Sequence, residues 1–83
     1  MSREPVVSIL RELGIRIRVA REAAKLTQEE AASRAGIDYK RWQRLEAGTV
    51  NATVRTLVRV AGAVGEDFWT LLAAPVRHLR RRE

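Results

Sequence analysis

The chain has 83 residues, of which 16 are Lys or Arg and 10 are Asp or Glu, so its formal net charge at pH 7 is +6. This length predicts one domain with a small core and little room for a deep active-site cavity. The absence of cysteine excludes disulfides and thiolate metal sites, and no apolar stretch approaches the roughly 18 residues that span a bilayer. The basic balance favours a polyanionic partner, although charge alone also allows a basic protein without one.

The first predicted helix runs from about Ser8 to Lys25. Apolar side chains recur at helical spacing at Leu13, Ile17, Ala20 and Ala24, which gives this segment one apolar face. Gly14 weakens the helical pattern of this segment. The alternative prediction is therefore a helix that starts only after Gly14.

The second and third helices carry start and stop signals. The Thr27 side chain can accept the backbone N–H of Glu30 while the Glu30 carboxylate accepts the N–H of Thr27, which is a capping box. Gly36 then allows the left-handed conformation that often ends a helix. Asp38 is expected to cap a third helix, from Tyr39 to about Ala47.

Two further helices are predicted before Pro75. Thr53 can cap the fourth, which Gly65 is expected to end. Its expected inner face consists of Val54, Leu57, Val58, Ala61 and Val64. Asp67 can cap a short fifth helix, whose Phe68, Leu71 and Leu72 are expected to point inward and leave Trp69 nearer the surface.

These elements predict an all-α fold, a compact five-helix bundle. Residues 1–74 are expected to form one domain, and residues 75–83 a basic tail. The tail is expected either to fray in solvent or to act as an arm that contacts phosphates. His78, the single histidine, lies on this tail and is not expected to have a catalytic or metal-binding role.

Small and apolar residues around the second and third helices lie where a helix-turn-helix needs them. Ala32 lets the two helices approach closely, Gly36 makes the turn, and Ile37 fills the corner. Trp42 and Leu45 are expected to anchor the inner face of the third helix. Such a turn holds two helices near a right angle, so that the second can project into a major groove.

In this pattern the chain resembles the lambda-repressor-like, Cro-type family, also called the xenobiotic-response-element family. The matching residues are Thr27-Gln28-Glu29-Glu30, then Ala32, Gly36 and Ile37, then Leu45-Glu46-Ala47-Gly48, and finally Leu57 and Ala61 before Val64-Gly65. The resemblance covers roughly residues 13–72 and implies a five-helix, lambda-repressor-like DNA-binding bundle. The chain departs from the family at Ala31, where Leu is usual, and at Trp42, where Ile or Val is usual. We expect these changes to compensate across the core.

The resemblance also implies roles for individual residues. Gln28 matches a residue that commonly holds a DNA phosphate. Arg21 and Glu46 match a structural ion pair between the first helix and the end of the third. Tyr39, Lys40 and Arg44 match positions that commonly reach base edges, with Arg41 and Gln43 as neighbours.

The chemistry of the third helix supports this interpretation independently. Arg and Lys side chains suit guanine N7 and O6, and Gln suits adenine N6 and N7. We therefore expect Tyr39, Lys40, Gln43 and Arg44 to read bases, and Gln28, Arg41 and Arg55 to contact phosphates. Arg55 is included because it begins the fourth helix, after a loop that should face the DNA backbone.

These observations predict a sequence-specific transcriptional regulator, a repressor or autoregulator of the cytoplasm that joins the nucleoid when bound to DNA. We expect a homodimer on an approximately palindromic operator, with Phe68, Trp69 and Leu72 as the candidate interface, although Trp69 could instead cover the core edge. No cofactor, metal or membrane is implied, and no nucleophile–base pair indicates an enzyme. The alternatives are an antitoxin or anti-regulator that mainly binds a protein, and an amphipathic membrane-surface or RNA-binding protein.

Overall fold

The computed structural model describes residues 5–73, which form five α-helices and no strand. The helices are α1 (Pro5–Ala23), α2 (Gln28–Ala35), α3 (Tyr39–Ala47), α4 (Val54–Ala63) and α5 (Phe68–Ala73). The predicted all-α five-helix class is therefore confirmed. The expected basic tail, residues 75–83, lies outside the described residues. Within the described part of the chain, no helix is long and apolar enough to cross a membrane.

Helix α1 begins earlier than the sequence indicated, at Pro5 instead of about Ser8, and ends at Ala23. The idea that it starts only after Gly14 is wrong, because Gly14 lies buried within the helix. A Cβ atom on Gly14 would lie 2.4 Å from the carbonyl oxygen of Glu46. Glycine is therefore used here for close approach of α1 to the end of α3.

Helices α2 and α3 begin close to where the sequence predicted. The Thr27 hydroxyl accepts the N–H of Glu30 at 3.0 Å, and the Thr27 N–H donates to Glu30 Oε1 at 2.9 Å, so the capping box is confirmed. Gly36 has φ of 71° and ends α2 in the left-handed conformation. Asp38 occupies the N-cap position of α3, but its side chain makes no capping hydrogen bond, so that expectation is wrong.

Helix α4 turns only part of the expected face inward: Leu57, Ala61 and Val64 are buried as expected, but Val54 and Val58 are not. Val60 is fully buried, whereas Val54 and Val58 are 66% and 51% exposed. The sequence offers two overlapping apolar stripes that share Leu57 and Ala61, and α4 packs against α2 and α5 through the stripe that includes Val60. The helix also ends at Ala63, before the turn that contains Gly65.

Helix α5 matches its prediction closely. Asp67 Oδ2 accepts the backbone N–H of Thr70 at 3.1 Å, as a capping residue should. Leu71 is buried, and Phe68 and Leu72 pack partly against the core. Trp69 points away from it and is 70% exposed.

The core is built from a few large side chains and many alanines. Trp42, Ile17 and Val60 are the largest fully buried side chains. Three small residues on α2 pack beside them, at Ala31, Ala32 and Ala35, all at most 5% exposed. Their size lets α2 approach both α3 and α4 closely.

Candidate nucleic-acid interface

Helix α3 divides into an inner face and an outer face. Trp42 and Leu45 are buried on the inner side, where α1 and α2 pack against the helix. Five polar or charged residues of α3 remain exposed, namely Tyr39, Lys40, Arg41, Gln43 and Arg44. Helix α3, held by its buried inner face, therefore presents three cationic side chains and one amide to solvent.

The exposed side chains of α3 lie on different sides of the helix. Lys40, Gln43 and Arg44 line one shallow depression with Ala47, on the side of the helix opposite the core. Tyr39 and Gln43 also line a cleft shared with α1 and the start of α2. Arg41 lines neither surface, and the 100° step of a helix places it on the opposite flank.

The Glu46 carboxylate joins α1, α2 and α3 through hydrogen bonds. Its Oε2 atom accepts hydrogen bonds from Arg21 Nε and from Trp42 Nε1, both at 2.6 Å. Its Oε1 atom accepts from Arg21 Nη2 at 3.1 Å and from Gln28 Nε2 at 2.9 Å. We call these four residues, Arg21, Gln28, Trp42 and Glu46, the Glu46 cluster.

The geometry of the Glu46 cluster shifts the pKa values of Glu46 and Arg21. Burial alone would raise the pKa of Glu46, but the hydrogen bonds from Arg21, Trp42 and Gln28, with the positive charge of Arg21, hold that pKa below its usual value. The hydrogen bond to Glu46 likewise raises the pKa of Arg21. A third hydrogen bond from Arg21, donated by Nη1 to the carbonyl oxygen of Leu26 at 2.8 Å, ties the α1–α2 turn to the cluster.

Gln28, the expected phosphate contact, lies at the first position of α2 with its side chain bound to Glu46. An amide nitrogen has two hydrogens, so this bond leaves one N–H for another acceptor. Arg55 is exposed in the first turn of α4, but it lines neither the depression nor the cleft on α3. The expected phosphate contacts are thus distributed over three helices.

The candidate dimer residues lie on α5, which packs against α1 and α4. The rings of Phe68 and Trp69 meet edge to face, with centroids 4.9 Å apart. Leu72 lines an apolar groove with Ile9, Leu13 and Leu57, between α1, α4 and α5. The indole of Trp69, also on α5, is exposed and does not line this groove.

Sequence reasoning missed two features of the surface around α3. It assigned Trp42 to the core and overlooked its hydrogen bond to Glu46, although four residues is the spacing at which helical side chains meet. It also overlooked Arg18, which lines the cleft beside Tyr39 and Gln43. Among residues 5–73, no group of three or more His, Cys, Asp or Glu side chains could hold a metal ion.

Two short helices joined by a glycine turn, the second with an exposed basic face, define a helix-turn-helix protein. The chain belongs to the helix-turn-helix domain family, whose profile matches residues 12–68. This agrees with the resemblance to lambda-repressor-like proteins found in the sequence.

A solved structure supports the same assignment. The chain is similar to a hypothetical transcription factor, NHTF, from Neisseria, with 26% identity and a TM-score of 0.77. The similarity covers 96% of this chain and 93% of the other. None of the curated proteins compared with the chain matches it. The family and the neighbour together support a DNA-binding regulator.

Proposed function

We propose that this protein is a sequence-specific regulator of transcription that inserts α3 into the major groove of DNA. The observation that carries the proposal is the outward projection of Lys40, Gln43 and Arg44 from a helix whose inner face is locked by Trp42 and Leu45. Lys and Arg donate to guanine N7 and O6, and Gln pairs with the edge of adenine. A fixed backbone holds these donors at a constant spacing, which sequence discrimination requires.

Contacts to phosphates set the register of this helix on the duplex. Gln28 is the first residue of α2, where the exposed backbone N–H groups and the helix dipole favour an anion. Because Gln28 and Trp42 share the Glu46 carboxylate, a phosphate held by Gln28 is linked through one side chain to α3. Arg41 and Arg55 add positive charge on the other flank and on α4.

The proposed regulator acts as a homodimer that represses transcription by occupying promoter DNA, its own promoter included. A two-fold dimer would place two copies of α3 about one helical turn, roughly 10 bp, apart on an approximate palindrome. The exposed Trp69, whose ring meets that of Phe68 edge to face, supports an interface at α5 that would also include Leu72. Exposure of this indole also suits an antitoxin or anti-regulator that binds another protein, which is the second candidate.

The first test is the binding of the full chain to the DNA upstream of its own gene and to a scrambled duplex of equal length, over a series of salt concentrations. We expect tighter binding to the upstream DNA, with a difference that persists as salt rises, because base contacts depend less on counterion release than phosphate contacts do. Equal binding to both duplexes that collapses with salt would contradict sequence specificity and favour the protein-partner candidate.

A further inference from the structure

Arg18 lies on the side of α1 that faces α3. It follows Gly14 by four residues, and Gly14 touches the end of α3. It precedes Arg21 by three residues, and Arg21 binds Glu46 of α3. Residues at these spacings share one helix face, so Arg18 lies in the same row as two direct contacts to α3. Unlike these two neighbours, Arg18 extends into solvent, and its side chain is 63% exposed.

The cleft in front of Arg18 is shared with the proposed DNA surface. Arg18 lines it together with Gln28, Tyr39 and Gln43. A duplex that places α3 in its major groove must run one phosphate backbone along this flank of the helix, where Gln28 lies. The guanidinium of Arg18 is therefore on the path of the same strand that Gln28 would contact.

Arg18 and Arg21 have different electrostatic environments, although both line the cleft. The side chain of Arg21 is 12% exposed and donates twice to Glu46, so it is committed to the fold. Among residues 5–73, the one polar partner of Arg18 is the exposed carboxylate of Glu22, whose Oε2 atom is 3.6 Å from Arg18 Nε. Exposed pairs of this kind contribute little and exchange readily with solvent. Arg18 can leave Glu22 for a stronger anion.

We propose that Arg18 contacts a DNA phosphate beside the groove that α3 enters, and so extends the interface onto α1. This inference rests on the proposed function, since it requires a duplex on α3. A guanidinium binds phosphate oxygens through paired N–H donors, whereas a carboxylate neighbour competes for them. Glu22 therefore weakens the proposed phosphate contact by competing for Arg18. Glu29, which also lines the cleft, weakens it through its negative charge.

The test compares the full-length Arg18→Gln variant with Arg59→Gln, which removes the same charge from an exposed site on α4. Binding to the upstream and scrambled duplexes is measured over a salt series. We expect Arg18→Gln to bind both duplexes about threefold to tenfold more weakly and to lower the slope of log Kd against log salt by about 0.9, the loss of one phosphate contact. Arg59→Gln should change both quantities less.

The Glu22→Gln variant should change DNA affinity in the opposite direction. Removing this carboxylate frees Arg18 and should tighten binding to both duplexes, and the gain should vanish when Arg18→Gln is also present. An Arg18→Gln variant that binds like Arg59→Gln, or a Glu22→Gln gain of equal size in both backgrounds, would overturn the inference. Equal wild-type affinity for the two duplexes would instead overturn the sequence-specific function while leaving the Arg18 comparison valid.

Discussion

The Glu46 carboxylate is where α1, α2 and α3 are joined by hydrogen bonds. Its side chain is only 5% exposed, and it accepts from Arg21, Gln28 and Trp42. A carboxylate in that position would be unfavourable without these donors, because burial removes its hydration. With them, it fixes the rotation of α3 and the position of Gln28 together. The geometry of the proposed interface therefore depends on one buried charge.

This dependence predicts loss of stability in acid. The folded-state pKa of Glu46 is lowered, so the folded protein binds fewer protons there than the unfolded chain does. The stabilisation is present above the unfolded-state pKa, about 4.3, and is lost as pH falls through the lower folded value. The free energy of unfolding in urea, measured from pH 7 to pH 3, should fall below about pH 4.5.

Two variants identify the group responsible. Glu46→Gln should lower the free energy of unfolding at pH 7 by about 1–3 kcal/mol, since it leaves buried donors incompletely paired, and should flatten the acid dependence. Glu30 also has a lowered pKa, because of its hydrogen bonds with Thr27, so Glu30→Gln should remove a separate part of the same dependence. An acid slope unchanged in Glu46→Gln would contradict the assignment.

At the scale of single elements, the packing of α1 on α3 depends on Gly14. A Cβ there would lie 2.4 Å from the Glu46 carbonyl oxygen and 2.7 Å from that of Leu45, both backbone atoms that cannot move without shifting α3. We expect Gly14→Ala to lower the free energy of unfolding by about 1–3 kcal/mol through overpacking. Chemical denaturation followed by circular dichroism measures this.

Gly62 provides the matched control for this prediction. It lies within α4, and a Cβ at Gly62 would meet nothing within 4 Å. Gly62→Ala should therefore raise the free energy of unfolding by about 0.5–1 kcal/mol, because alanine loses less backbone entropy in a helix. Opposite signs for the same substitution would support close packing as the cause, whereas stabilisation by both would contradict it.

The exposed face of α3 gives a second prediction at this scale. Lys40→Ala and Arg44→Ala should each weaken binding to the upstream DNA by about 1–3 kcal/mol while leaving the melting curve unchanged. Both side chains are exposed, so neither supports the core. Fluorescence anisotropy with both duplexes measures the effect, and discrimination should fall along with affinity. Loss of helical content in either variant would count against an outer-face position.

The elements also show what sequence patterns can and cannot predict. The capping box at Thr27 and the glycine turn at Gly36 are local, and the sequence predicted both. The inner face of α4 depends on α2 and α5, so periodicity could not choose Val60 over Val58. A local pattern can also mislead: Asp38 occupies the N-cap position that the sequence predicts, but its side chain makes no capping hydrogen bond.

Some features of the candidate site follow from local sequence patterns, whereas others depend on how the helices pack. Exposure of Lys40 and Arg44 follows from helical periodicity around the buried Trp42 and Leu45, so the sequence alone predicts it. The Gln28–Glu46 hydrogen bond joins residues 18 apart in the chain and needs the packed position of α2. Arg18 enters the cleft for the same reason, since only the close approach at Gly14 brings α1 beside α3.

At the scale of the whole molecule, the proposed function requires two copies of the chain. Trp69 is 70% exposed and lies on α5, the helix that packs against α1 and α4. A central aromatic residue in an interface typically contributes 2 kcal/mol or more, so Trp69→Ala should raise the dimer dissociation constant by roughly thirtyfold or more. Sedimentation velocity over a range of concentrations measures this constant.

Val58→Ala is the control, because Val58 is also an exposed apolar residue, at 51%, but lies on α4 outside the proposed interface. It should leave the dimer unchanged. On DNA, wild type and Trp69→Ala should bind a single half-site alike, since α3 is intact in both. On the full palindrome only the wild type should gain from linkage of two half-sites. A Trp69→Ala protein that dimerises like wild type, or a monomeric Val58→Ala protein, would remove α5 as the interface.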